Sequence, residues 1–241
     1  MSMKHPCAGF SLTELAIVLL IAALLVGGML MPISAQMDLR NSGETRRQLD
    51  EIREALLGFA AVNGRLPCPD TDTDPTAAGY GVEEASCTAD AADESYLPWK
   101  TLGVSEFDSW GSPWRNPGLP RKGLWRYRIE RKYADAATLR QRILLPGVST
   151  CNSTDPFPDD CLRIKNAAGV ALNADTERPV AIVFSVGASN QPDGENTSFE
   201  ANKTGNPTYQ ASERTANFDD ILVWVSRSTL AGRMLAAGRL P

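Results

Sequence analysis

Three residues near the N-terminus, Gly9, Phe10 and Glu14, have types and a spacing that suit a peptide cleavage followed by an ion pair. The Gly9–Phe10 bond precedes a long apolar stretch, whereas an ordinary secretory signal is cut after its apolar region. Cleavage here would leave the apolar stretch on the mature chain and create an α-amine at Phe10. A carboxylate beside a membrane segment is costly without a partner. The α-amine of a neighbouring subunit would neutralise Glu14, and we predict that the two groups pair.

The apolar stretch that follows has the length of a membrane helix. The 22 residues from Phe10 to Met31 would span roughly 33 Å as a helix, close to the bilayer core of about 30 Å. Residues 1–9 are hydrophilic and form the predicted leader, and residues 10–33 form the predicted transmembrane helix. Pro32 is expected to kink this helix because proline removes one backbone hydrogen bond.

The helical pattern continues beyond the proline. Apolar residues recur at spacings of three and four from Leu49 to Phe59, which predicts an amphipathic continuation over residues 34–64. Gly64 is a typical helix stop. The rest of the chain, residues 65–241, is then the predicted globular head.

The N-terminal pattern resembles the class III signal peptide of type IV pilins and type II secretion pseudopilins. The resemblance implies cleavage after Gly9 by prepilin peptidase, N-methylation of Phe10, and Glu14 as the acid that recognises the next subunit. It also implies a single-pass inner-membrane protein with a periplasmic head, which later joins other pilin or pseudopilin subunits in a filament. The alternative is a plain membrane anchor that carries a Gly-Phe pair by chance.

Cysteine and histidine usage limits the chemistry of the head. Cys7 and the single histidine, His5, lie in the leader, so histidine-based triads are excluded from the mature chain. Four cysteines remain, and proximity in sequence favours the pairs Cys68–Cys87 and Cys151–Cys161 over a zinc site, since no close Cys-x-x-Cys spacing is present. Disulfides would place the head in an oxidising compartment such as the periplasm.

The head is expected to be of the α+β class and pilin-like, with the long N-terminal helix packed on a small antiparallel sheet of three to five strands. Strands are predicted at 124–129, 180–184 and 221–225, and a closing helix at 228–240 with Ser228 as its N-cap. Loops closed by disulfides would decorate this sheet.

Two charged segments suggest alternatives that the sequence leaves open. Residues 68–110 are acidic, but Pro75 and Gly81 occupy the positions where a calcium loop starting at Asp70 needs glycine and glutamate, so a solvated loop is predicted. Residues 115–142 are basic, which suits either the solvent face of a strand or a patch that meets an acidic neighbour. Binding to DNA is the third alternative for this segment.

A second resemblance concerns the loop between the last two predicted strands. The strand, the Gly- and Asp-rich loop, the acidic pair and the Trp-bearing strand are similar to the calcium loop of major pseudopilins, as is Asp-x-Trp-Gly-x-Pro-aromatic at 108–114. The resemblance implies a possible Ca²⁺ held by Asn190, Asp193, Asp219 and Asp220, since calcium takes six to eight oxygen ligands. A plain hairpin loop is the alternative.

These patterns together favour a structural subunit over an enzyme. The sequence has no nucleophile elbow, phosphate-binding loop or metal motif, and we predict no catalytic residue. The net charge of −5 argues against nucleic acid as a partner. The predicted function is that of a minor pilin-like subunit. The alternatives are a pseudopilin of a type II secretion system, and a membrane-tethered head that binds DNA or a surface ligand through residues 121–142.

Overall fold

The computed structural model describes residues 11–87, 94–112, 122–144, 162–174, 177–197 and 208–240, and for residues 26–35 it describes the backbone only. The chain divides into two compact units, Met1–Asn41 and Ser42–Pro241. Gly9, Phe10, Cys151 and Cys161 lie outside the described residues.

Helix α1 (Leu12–Asn63) is 52 residues long and belongs to both units. The helix ends at Asn63. The next residue, Gly64, has a left-handed φ of +73° and stops the helix, as the sequence predicts. The helical backbone includes Pro32, and the kink expected there stays a prediction. Within the described residues, no helix combines the length and the apolar character that crossing a membrane requires.

The second unit is built around a four-stranded antiparallel sheet. Its strands are β1 (Glu94–Tyr96), β2 (Arg126–Ile129), β4 (Pro179–Ser185) and β6 (Ile221–Ser226), in the order β1-β2-β4-β6. Tyr127 lies opposite Val183, and Val183 lies opposite Val223. The mixed fold of one long helix and an antiparallel sheet confirms the predicted fold class at this level, and all three predicted strands are present.

Helix α1 supplies the core on one face of this sheet. Leu49, Ile52 and Leu56, which the helical periodicity identified, are buried against Tyr127 and Val183. This side of the sheet therefore owes its burial to the amphipathic half of the helix.

The opposite face of the sheet is also covered. A parallel pair, β3 (Arg163–Lys165) and β5 (Thr208–Gln210), brings Ile164 and Tyr209 against Ile182 and Phe184. Every residue of β4 is consequently buried, which explains why this strand is apolar without alternation. Neither β3 nor β5 was predicted from the sequence.

Three α-helices and two 3-10 helices complete the described elements. The α-helices are α2 (Trp99–Leu102), α3 (Ala136–Leu144) and α4 (Arg227–Ala236), and the 3-10 helices are Arg131–Tyr133 and Gly194–Thr197. The predicted closing helix is present as α4, but its N-cap is Ser226 and not Ser228. The hydroxyl of Ser226 accepts a hydrogen bond from the backbone N–H of Thr229, because the chain leaves β6 in an extended conformation at Ser226.

The acidic segment after α1 is more ordered than the prediction of a solvated loop allows. A disulfide joins Cys68 and Cys87, as predicted. Asp70 is only 1 % exposed, and its carboxylate accepts hydrogen bonds from the backbone N–H groups of Gly81 and Asp72. The backbone of Asp70 also pairs with Tyr96 in β1. The solvated-loop prediction is therefore wrong at Asp70.

Candidate functional site

Glu14 takes part in a reciprocal cap at the start of α1. Its carboxylate accepts a hydrogen bond from the backbone N–H of Ser11 at 2.9 Å, and the Ser11 hydroxyl accepts one from the N–H of Glu14 at 3.2 Å. This arrangement is a capping box, which satisfies two backbone donors that a helix start leaves open. The Glu14 side chain is exposed, so the carboxylate is accessible to a second chain.

Three carboxylates meet at the end of the sheet. Asp219 and Asp220 directly precede β6, and Asp193 lies in the loop that follows β4. One oxygen from each residue lies within 4.8 Å of the others. We call Asp193, Asp219 and Asp220 the acidic cluster. The sequence placed these three residues in one site, and the fold brings them together because β4 and β6 are neighbours in the sheet.

Hydrogen bonds hold the acidic cluster in this arrangement. Asp193 Oδ2 accepts from the N–H of Asp219, and Asp220 Oδ2 accepts from the N–H of Asp193, both at 2.9 Å. Ser189 donates to Asp219 through its hydroxyl and its backbone N–H, and Asn196 donates its amide to Asp220 Oδ2. Ser189 and Asn196 were missed from the sequence, since nothing in their spacing indicates these partners.

Asn190, the fourth predicted ligand, makes a different contact. Its side-chain oxygen accepts a hydrogen bond from the backbone N–H of Gly123 at 3.3 Å. Asn190 has a φ of +56°, a left-handed conformation that asparagine tolerates better than most residues. Its amide oxygen thus joins this loop to the segment before β2, and its role as a ligand stays a prediction.

Burial and mutual repulsion make it costly for the carboxylates of the acidic cluster to be ionised. Burial, together with the neighbouring charges of Asp193 and Asp219, raises the pKa of Asp220 to about 7. Burial and the proximity of Asp219 also raise the pKa of Asp193. A bound cation would relieve both effects, because it stabilises the ionised form of each carboxylate.

The donor set of the acidic cluster fits a calcium ion. The side chain of Asp220 is 5 % exposed, and its Oδ1 atom is buried with no hydrogen-bond partner. An ionised carboxylate oxygen left in this state is costly, and a metal ion is one of the partners that offsets the cost. The cluster offers only oxygen atoms, which Ca²⁺ prefers, and backbone carbonyls or water would complete the coordination. Asp193, Asp219 and Asp220 are the residues that would hold the ion.

Two arginines at the centre of the basic segment, Arg126 and Arg128, are buried. Arg126 is 8 % exposed and Arg128 is 2 % exposed. The prediction that this segment forms the solvent face of a strand is therefore wrong for these two residues of β2. The guanidinium of Arg126 lies 4.6 Å from the centre of the Tyr96 ring, and that of Arg128 donates to the Tyr209 hydroxyl. These arginines are internal because the β3–β5 pair covers their face of the sheet.

The N-terminal residues around Glu14 were compared with protein-family models. The model described as the Prokaryotic N-terminal methylation motif matches residues 4–30. This chain carries the prokaryotic N-terminal methylation motif. The match includes Gly9, Phe10 and Glu14 and confirms the signal of type IV pilins and pseudopilins that the sequence indicated. No curated protein and no solved structure matches the chain.

Proposed function

We propose that this chain is a minor pilin-like subunit of a type IV pilus-type filament. The observation that carries the proposal is the methylation motif, which leads into a 52-residue helix whose second half packs in the core of an α+β head. A motif for cleavage and methylation at the start of such a helix suits a protein that is first anchored and later assembled.

The proposed assembly step follows from the chemistry of the N-terminus. Prepilin peptidase cuts between Gly9 and Phe10, and the new α-amine of one subunit pairs with Glu14 of its neighbour. Packing of apolar helices in a filament core then protects the same surface that the bilayer protected, at about 25 cal/mol for each Å² kept from water. A helix out of register would leave the carboxylate of Glu14 unpaired, which is strongly penalised.

The experiment that tests this proposal is the intact mass and N-terminal sequence of the envelope-bound protein, with and without prepilin peptidase. We expect a chain that begins at N-methylated Phe10 when the peptidase is present. The matched control is Gly9→Leu, which retains the apolar helix but removes the small residue before the cut. A wild-type chain that still begins at Met1 or Ser2 would contradict the proposal.

A pseudopilin of a type II secretion system is the second candidate, and the acidic cluster favours it. The buried Oδ1 of Asp220 and the oxygen-only donor set suit the calcium loop that major pseudopilins possess. Deletion of the chain separates the two candidates. Loss of surface filaments with normal protein secretion supports the minor pilin-like role, and the reverse result supports the pseudopilin.

A DNA-binding head gains no support from the centre of the basic segment. The two arginines at the centre of that segment, Arg126 and Arg128, are internal and contact tyrosine rings. Phosphate recognition needs accessible cations.

A further inference from the structure

The two edges of the four-stranded sheet differ. At the β1 edge, the backbone of Asp70 pairs with Tyr96 through two hydrogen bonds, so the disulfide-closed loop occupies this edge. At the other edge, β6 pairs with β4 on its inner side, and among the described residues no strand pairs with its outer side. An edge strand presents backbone donors and acceptors to any extended chain that reaches it.

The composition of β6 favours such pairing. The strand reads Ile-Leu-Val-Trp-Val-Ser and has no charged residue and no proline. Ile221, Leu222, Val223 and Trp224 are all partly exposed. Proteins that keep an edge strand from pairing place lysine, proline or a bulge on its outer side, and β6 has none of the residues that would do so.

A groove beside β6 contains an arginine and would therefore favour a partner with a negative charge. It has a volume of about 190 Å³ and is lined by Leu222, Val223, Trp224 and Ser226 of the strand and by Arg53 of α1. The Nε atom of Arg53 is buried without a hydrogen-bond partner, and no carboxylate pairs with this guanidinium among the described residues. Other arginines of the head do form salt bridges with acidic residues: Arg65 pairs with Glu83, and Arg233 pairs with Glu54.

We infer that β6 binds an extended strand of a different subunit, which carries a carboxylate that enters the groove and pairs with Arg53. The inference rests on the proposed function in one respect, that the partner is a neighbouring subunit. The strand would supply hydrogen bonds along the backbone, and the carboxylate would fix its register. The groove is smaller than a typical ligand pocket and suits a single side chain.

A second copy of this chain is a poorer occupant. Its own β1 is only three residues long, and Asp70 already pairs with Tyr96 at that edge, so little of β1 is left for a second strand. Pairing of β6 with β6 of a second copy would be two-fold symmetric and would place two Arg53 side chains along the joint edge without an acid. A two-fold contact also closes a dimer and does not extend a filament.

The test is photo-crosslinking in cells, with p-benzoylphenylalanine in place of Leu222 in the full-length chain. We expect one crosslink, to an extended segment of another subunit that contains Asp or Glu. Arg53→Glu should lower its yield about tenfold or more, because it places like charges together. Arg46→Glu is the matched control, since Arg46 is exposed on the same helix and the yield should be unchanged. Replacing the partner's carboxylate with lysine should restore crosslinking to Arg53→Glu.

A second variant guards against misfolding of the first. Arg53→Gln removes the charge without adding one, and we expect it to fold with an unchanged midpoint of thermal unfolding and still to lose most of the crosslink. A crosslink only to a second copy, or a yield that Arg53→Gln and Arg53→Glu leave unchanged, would overturn the inference. So would the absence of any crosslink in filaments that contain the processed chain.

The N-terminal mass separates this inference from the proposed function. If Phe10 is not the N-terminus and no filament forms, but the crosslink to another protein persists and depends on Arg53, the strand pairing stands and the proposed filament role fails. If processing and filaments are normal but the crosslink is missing, only the strand pairing fails.

Discussion

The hydroxyl of Ser185 donates a buried hydrogen bond of 2.5 Å to the carboxylate of Asp108, which lies 77 residues earlier in the chain. The same hydroxyl accepts a hydrogen bond from the backbone N–H of Gly187 at 3.0 Å. Gly187 lies so close to Asp219 that a Cβ at this position would be 2.6 Å from the Asp219 side chain. The hydrogen-bonded pair of Ser185 and Asp108 thus supports the loop that leads from β4 to the acidic cluster.

Ser185→Ala should lower the free energy of unfolding by about 1–3 kcal/mol, because it removes the hydroxyl that donates to the buried carboxylate of Asp108 and leaves the N–H of Gly187 without its acceptor. Urea unfolding of the purified protein measures the change. Ser228→Ala is the control, since Ser228 is exposed and its removal should cost less than about 0.5 kcal/mol. Equal costs for the two variants would contradict the structural role of Ser185.

Asp108 should make the stability depend on pH. Burial raises its pKa from 3.8 to about 6. Since the folded state then binds more protons than the unfolded state between these values, the free energy of unfolding falls as the pH rises through this window and stays lower above it. Asp108→Asn removes this contribution, so its stability relative to the wild type should improve by about 1–3 kcal/mol from pH 4 to pH 7.

Urea unfolding at both pH values, in the presence of a calcium chelator, measures this difference. Asp70 and Asp220 also have raised pKa values and shift the wild type and the variant alike, so only the difference between the two proteins reports on Asp108. A difference that does not change with pH would show that the Asp108 carboxyl titrates in its ordinary range.

Calcium should stabilise the head through the acidic cluster. A ligand that binds only the folded state adds about 2.7 kcal/mol at one hundred times its dissociation constant, and the thermal midpoint rises accordingly. Asp220→Asn should abolish the rise, because it removes a charge from the most buried member of the cluster. Asp50→Asn, at an exposed position on α1, should leave the rise intact. The thermal midpoint with added CaCl₂ and with chelator is the measurement, and no difference between the two conditions in the wild type would exclude the site.

The disulfide between Cys68 and Cys87 should contribute about 3 kcal/mol, as expected for a closed loop of this length. The double variant Cys68→Ser, Cys87→Ser should unfold at correspondingly lower urea concentration. A reductant should lower the stability of this variant further if Cys151 and Cys161 also pair as predicted. The control is the double variant Cys151→Ser, Cys161→Ser. Its mutation should cost less stability than the later reduction of its remaining disulfide, Cys68–Cys87.

Glu14→Gln should allow cleavage after Gly9 but prevent stable entry into filaments. The amide can still accept the hydrogen bond from Ser11 in the helix cap, but it cannot neutralise the α-amine of a neighbour. The measurement is the fraction of processed chain in sheared filaments. Glu51→Gln, on the exposed side of the same helix, is the control. Normal assembly of Glu14→Gln would contradict the pairing with the α-amine.

The elements with strong periodicity were predictable from the sequence. The helix around Leu49 and Leu56 has a spacing of three and four, and β4 and β6 are apolar runs bounded by polar turns. The pair β3 and β5 was not predictable, because each strand has three residues and the pairing joins distant segments in parallel. The buried position of Arg128 follows from this missed layer, since alternation in β2 suggested a solvated face.

The acidic cluster was predictable only as to its three carboxylates. The resemblance to the calcium loop of major pseudopilins grouped Asp193, Asp219 and Asp220, and the pairing of β4 with β6 explains why they meet. The contact of Asn190 with Gly123 was not predictable, because it depends on how a distant segment packs against the loop. The same holds for Asp108, whose partner Ser185 lies at the end of a different strand.

Arg239 caps the C-terminal end of α1, since its guanidinium donates to the backbone carbonyls of Ala61 and Val62. The residues in these contacts are separated by 178 and 177 positions. Contacts of such long range form late, because a large loop must close first. The cap on this helix end therefore forms only after the last residues of the chain have been synthesised, and we expect it to form after the helix has packed against the strands that contain Tyr127 and Val183.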